Sequence, residues 1–92
     1  MKRTPEELSL AIKAYEARSK PISMRQLRLK LLETGLLASV TASMNAAEEA
    51  VKIEWEYADS IVRDNPLVES VAAVLSLTAE QTDDMFIEAR QL

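Results

Sequence analysis

A chain of 92 residues with 48% apolar content and a formal net charge of −4 is long enough for one small globular domain and too short for two. It contains neither Cys nor His, which removes the usual zinc ligands, thiol nucleophiles, disulfides and imidazole bases; no catalytic residue, metal ligand or cofactor is therefore expected. No apolar run approaches the roughly 18 residues that cross a bilayer, and MKRTPEELSL lacks the apolar stretch of a signal peptide, so a soluble intracellular chain with no membrane partner is the expectation.

One Gly and three Pro stand among many Ala, Leu, Glu, Gln and Lys, a composition that predicts an all-α protein. Thr4 with Glu7 three residues on, and Pro5 between them, forms a capping-box start for a helix running to about Arg18. Ser19, Lys20 and Pro21 break it. Ser23 with Gln26 opens a second helix, with Ile22 and Leu27 at the staple positions. It should end near Thr34, because Gly35 adopts a left-handed cap at no steric cost.

A short helix over Leu36 to about Met44 follows. Asn45 is the expected cap of the next, with Glu48 at its third position and a run to about Arg63. Asp64-Asn65-Pro66 reads as stop, cap and restart, giving a helix to about Ser76, and Thr78 with Gln81 begins a last one reaching about Gln91. A compact bundle of about six short helices is the simplest architecture.

Residues 1–21 form a separate element in this reading, and 22–92 the helical domain. The first helix has a main apolar stripe of Leu8, Ala11, Ile12 and Tyr15 and a weaker one of Leu10, Ala14 and Ala17 on another side. Such a helix either packs on a neighbouring subunit, giving a homo-oligomer joined through Leu8, Ile12 and Tyr15, or docks on its own domain.

Projected at about 100° per residue, Ala46 to Arg63 divides into an apolar half, including Val51, Ile53, Trp55, Tyr57 and Ile61, and a charged half. Glu54 falls in the middle of the apolar half. In Met24 to Thr34 the mirror exception is Arg28, inside an apolar side made by Met24, Leu27, Leu29, Leu31 and Leu32, with Arg25 on its flank. An Arg28–Glu54 ion pair, buried or half-buried, follows, with Arg25 as the substitute donor. Trp55, at the edge of its sector, is a half-covered core residue or an interface anchor.

Glu69 to Phe86 has the outline of a helix-turn-helix. Its second helix would present Glu80, Gln81, Asp83, Asp84 and Glu88, with no cation before Arg90, and such a surface repels phosphate. Lys20, Arg25, Arg28 and Lys30 gather elsewhere without aromatic residues for stacking. Nucleic acid is not an expected partner.

From Ile22 onward the chain resembles a family of small proteins encoded in the tail regions of tailed bacteriophages and prophages. The resemblance is carried by ISMRQLRLKLLETGLL, IEWEYA, the RDNPLV turn and VLSLTAEQTDDMF. It falls on Arg25, Gln26, Arg28, Leu29, Gly35, Leu36, Leu37, Ile53, Glu54, Trp55, Glu56, Tyr57, Pro66, Leu67 and Val68. Ser76 departs from it, standing where the family pattern has Gly, which implies a turn made without a left-handed cap. Residues 1–21 lie outside it.

The resemblance implies a genomic setting, a phage or prophage tail module, and not an activity; with the absence of catalytic residue types, a non-enzymatic interaction protein in a structural, accessory or assembly role is the expectation. Its partners would be other tail or fibre proteins, and its place the cytoplasm of the bacterial host or the virion. The alternative is a small regulator that binds nucleic acid or a bacterial host protein.

Overall fold

Three reciprocal capping boxes start three of the helices. The Thr4 hydroxyl accepts from the Glu7 N–H at 3.1 Å while the Glu7 carboxylate accepts from the Thr4 N–H at 3.2 Å, and Ser23/Gln26 and Thr78/Gln81 repeat the exchange. Asn65 caps a fourth start, its side-chain oxygen accepting from the Leu67 N–H at 2.8 Å with Pro66 at the first helical position. The computed structural model describes residues 4–92. Six helices follow in order: α1 (Pro5–Ser19), α2 (Met24–Glu33), α3 (Leu37–Asn45), α4 (Glu49–Tyr57), α5 (Pro66–Leu75) and α6 (Ala79–Ala89). The fold is an all-α bundle. Two very short strands, β1 (Ile22–Ser23) and β2 (Ser60–Ile61), add one antiparallel pairing, Ile22 opposite Ile61.

α2 and α5 end in the same way. Gly35 takes φ +78°, the Leu36 N–H reaches the Leu31 carbonyl at 2.8 Å, and the Gly35 N–H reaches Leu32 at 3.0 Å. After α5 the corresponding bonds run from Leu77 to Ala72 at 2.9 Å and from Ser76 to Ala73 at 3.2 Å, with Ser76 at φ +55°. The expectation of a turn without a left-handed cap is corrected here: Ser76 takes the left-handed conformation that a glycine takes after α2. Two carbonyls satisfied by the turn, with Leu77 packed against the core, offset the steric cost of a Cβ in that region. Ser76→Gly should therefore stabilise the chain by up to about 1 kcal/mol, read as a melting temperature higher by a few degrees.

α4 differs most from expectation. Asn45 is the last residue of α3 and caps nothing, and Glu48 precedes α4 with no side-chain cap. The helix stops at Tyr57 instead of Arg63, Ala58 turning extended at ψ 134°. What competes with the helix is the pairing of β2 with β1, reinforced by the Met24 N–H on the Asp59 carbonyl at 3.0 Å. That pairing buries Ile22 and Ile61 together in the core. It also turns Arg63 inward.

The core gathers Leu27, Leu31, Val40, Met44, Trp55, Leu67, Val68, Val71 and Phe86, with Ala17 as the contribution of α1. α6 is an inner helix, packed by α1 on one side and α2 on another.

Candidate functional site

The buried polar chemistry of the chain lies where α1, α6 and the loop after β2 meet. Arg63, 3% exposed, donates from Nε to Asp83 Oδ1 at 2.7 Å, from Nη1 to Glu69 at 3.3 Å and from Nη2 to the Ala79 carbonyl at 3.3 Å. Asp83, 5% exposed, also accepts from Arg18 Nη1 at 3.2 Å, and Arg18 Nε donates to Asp64 at 3.0 Å. A planar guanidinium can serve three acceptors at once, which is what a buried cation requires. Sequence projection placed Arg63 on the polar face of an overlong α4 and Asp83 on an exposed reading helix. Neither placement survives, because α4 ends early and α1 covers the Asp83 side of α6.

The proposed Arg28–Glu54 pair does not form. Glu54 is exposed beside a shallow recess shared with Ala50, Val51, Asn65, Pro66 and Leu67, and no salt bridge joins it to a cation among the described residues. Arg28 instead lies over the Trp55 ring, 4.3 Å from its centroid, and Nη2 donates to the Trp55 carbonyl. Arg25 is exposed and is not a substitute donor.

The error has a clear geometric origin. Counting Ile53 and Tyr57 as core centred the apolar sector of α4 on Glu54, yet these two are 53% and 74% exposed. The buried side is carried by Val51, Trp55 and Ala58, spaced i, i+4 and i+7, and Glu54 lies at its flank. Trp55, at 2% exposure, is a full core residue and neither half-covered nor a surface anchor.

α1 is held almost wholly by polar contacts. Lys13 bridges Glu80 at 3.1 Å and Asp84 at 3.0 Å; Asp84 first, then Glu80, holds its ammonium above the ordinary lysine value. The Arg90 guanidinium donates to the carbonyls of Glu16 at 3.0 Å, Ala17 at 3.4 Å and Lys20 at 2.7 Å, capping the C-terminal end of α1 from another element. Ala17 is its single buried residue among those described, and every residue from Thr4 to Leu10 is exposed.

Lys13 and Ala17 mark the side of α1 turned to α6. Leu8, Ile12 and Tyr15 lie on the opposite side, roughly 150° around the helix, at 52%, 51% and 74% exposure. The helix thus docks on its own domain by the weaker stripe and leaves the main stripe uncovered.

Comparison with family models, with curated proteins and with solved structures finds no match.

The α5–turn–α6 segment keeps its helix-turn-helix outline, but α6 carries five buried residues, Thr82, Asp83, Met85, Phe86 and Ala89. Its exposed members Glu80, Gln81 and Glu88 bring no cation to a phosphate backbone. Among the described residues no group of three or more acidic side chains could hold a metal ion, and no helix is long and apolar enough to cross a membrane.

The two left-handed turns border a further shallow groove of about 300 Å³, floored by Leu31, Leu36, Leu75, Leu77 and Met85 and edged by Lys30 and Glu88.

Proposed function

We propose that the protein is a non-enzymatic helical interaction protein of a phage or prophage tail module, acting by binding other tail or fibre proteins in a structural, accessory or assembly role. The observation that carries the binding role is the unpartnered Leu8–Ile12–Tyr15 stripe of α1, set opposite the side by which α1 docks. The genomic setting rests on the resemblance of residues 22–92, carried by ISMRQLRLKLLETGLL, IEWEYA, the RDNPLV turn and VLSLTAEQTDDMF. A chain without His or Cys, whose buried Arg63 and Asp83 are paired with each other, supports binding over catalysis.

The test is recovery of the tagged full chain from phage-producing cells. Fibre or baseplate proteins should co-purify, and the purified chain should leave DNA unshifted at low salt. A salt-sensitive DNA shift without tail partners would replace this function with that of a small regulator.

A further inference from the structure

We infer that the outer face of α1 is a docking site for an amphipathic partner helix whose apolar stripe is flanked by Lys or Arg; this deepens the proposed binding function and rests on it. Leu8, Ile12 and Tyr15 follow the i, i+4, i+7 spacing by which one helix anchors another. On the α1 wheel Glu7 lies roughly 100° to one side of this stripe and Glu16 roughly 70–80° to the other.

The charge on those flanks decides between occupants. Both carboxylates are exposed, and neither has a salt-bridge partner among the described residues. The two cations of α1 within the described residues are already engaged: Lys13 lies between Glu80 and Asp84, and Arg18 between Asp64 and Asp83. The face is therefore an apolar seam with a carboxylate on each edge that no cation pairs among the described residues, Glu7 keeping one oxygen on the Thr4 N–H of its capping box. Two copies of it would bring Glu7 and Glu16 of each chain along one seam, while the two described cations of α1, Lys13 and Arg18, are held in salt bridges within their own chain, so a second copy is the poorer fit. A helix with basic flanks supplies the missing charge on both edges.

The length of the seam sets the strength. Three anchors on one helix face fall below the roughly 1,200 Å² of a standard interface, so the contact is of the weak, transient class. The N-terminal half of α1 gains most. Thr4 to Leu10 contribute nothing buried, and an unsupported helix of that length is marginal in water.

The experiment is a fluorescence-anisotropy titration of the full chain against two synthetic amphipathic peptides of about 20 residues. Both carry the same Leu stripe, one flanked by Lys and the other by Glu. The Lys-flanked peptide should bind at low salt and the Glu-flanked one should not. Ile12→Glu should weaken binding at least about 10-fold, and the double variant Glu7→Gln/Glu16→Gln about 3-fold or more with a shallower salt dependence. Tyr57→Ser, on an exposed aromatic of α4, should leave it unchanged. If Ile12→Glu melts below the parent, Tyr15→Ser, at the most exposed position of the stripe, takes its place.

Equal binding of both peptides, equal binding by the α1 variants, or no binding of the Lys-flanked peptide would each overturn the inference. So would a concentration-dependent dimer of the chain that Ile12→Glu abolishes, since the occupant would then be a second copy. The titration probes the face and the recovery experiment probes the setting. A silent titration with tail proteins recovered removes this face alone, whereas a positive titration with none recovered removes the phage-tail role.

Discussion

Asp83→Ala should cost about 3–5 kcal/mol of stability, because it strands a guanidinium that is 3% exposed. For a domain whose total stability is of order 5–15 kcal/mol that is a large share, and at roughly 4–8 °C per kcal/mol the melting temperature should fall by about 12 °C or more. Arg63→Ala should cost a similar amount by stranding Asp83. The double variant Arg63→Met/Asp83→Leu should lose much less than the sum, since it leaves no charge unanswered.

Two controls separate the ion pair from mere volume. Arg63→Lys should not rescue: one ammonium cannot reach Asp83, Glu69 and the Ala79 carbonyl from the three directions that Nε, Nη1 and Nη2 use. Arg18→Ala should cost less than Asp83→Ala or Arg63→Ala, because Arg18 and its partner Asp64 are solvated and the buried Asp83 keeps Arg63 Nε as a donor. Thermal and urea melts measure all five proteins. Additive losses in the double variant would show that Arg63 and Asp83 do not act as a unit.

The second large effect separates two neighbours. Trp55→Ala should destabilise by about 3–5 kcal/mol through the cavity it opens, and Glu54→Ala by less than about 0.5 kcal/mol. Arg28→Ala falls between them, at about 1–2 kcal/mol, for the loss of a stacked guanidinium and one hydrogen bond to a carbonyl. Trp55 is the only tryptophan, so its fluorescence follows unfolding of the parent and of the Glu54 and Arg28 variants directly, with circular dichroism for Trp55→Ala. A loss from Glu54→Ala comparable to that from Trp55→Ala would return a buried role to this acid.

These two pairs show where the sequence was legible. The reading recognised that charges enter the interior of this bundle and named the wrong ones. Arg28 does leave solvent in part, but the group it meets is an indole ring and a carbonyl, and a helical wheel carries no information about carbonyls. Asp83 stands two positions from Met85 and three from Phe86, beside the buried stripe and outside its centre, so periodicity places it at the surface. It is buried because α1 and the Arg63 loop both cover that flank. A possible signal was Arg63 itself, an arginine directly before the Asp64-Asn65-Pro66 turn and close enough in the chain to reach back toward the start of α6.

α1 teaches the same lesson from the other side. Its two stripes were visible in the sequence, but not which of them would dock on the domain. Polar clamps decided it: Lys13, Arg18 and the Arg90 cap hold the side bearing Ala17, so the small side chain goes inward and Leu8, Ile12 and Tyr15 go out.

Sequence alone determined the helical class, the starts at Thr4, Ser23, Asn65 and Thr78, and the glycine stop at Gly35. Each of these depends on groups within about five residues of one another, whose hydrogen bonds close locally. The early end of α4, the left-handed Ser76, the Arg63–Asp83 pair and the outward face of α1 were decided by tertiary structure. In each of them the competing free energies come from residues distant in the chain, and burial depends on which neighbour arrives to cover a face.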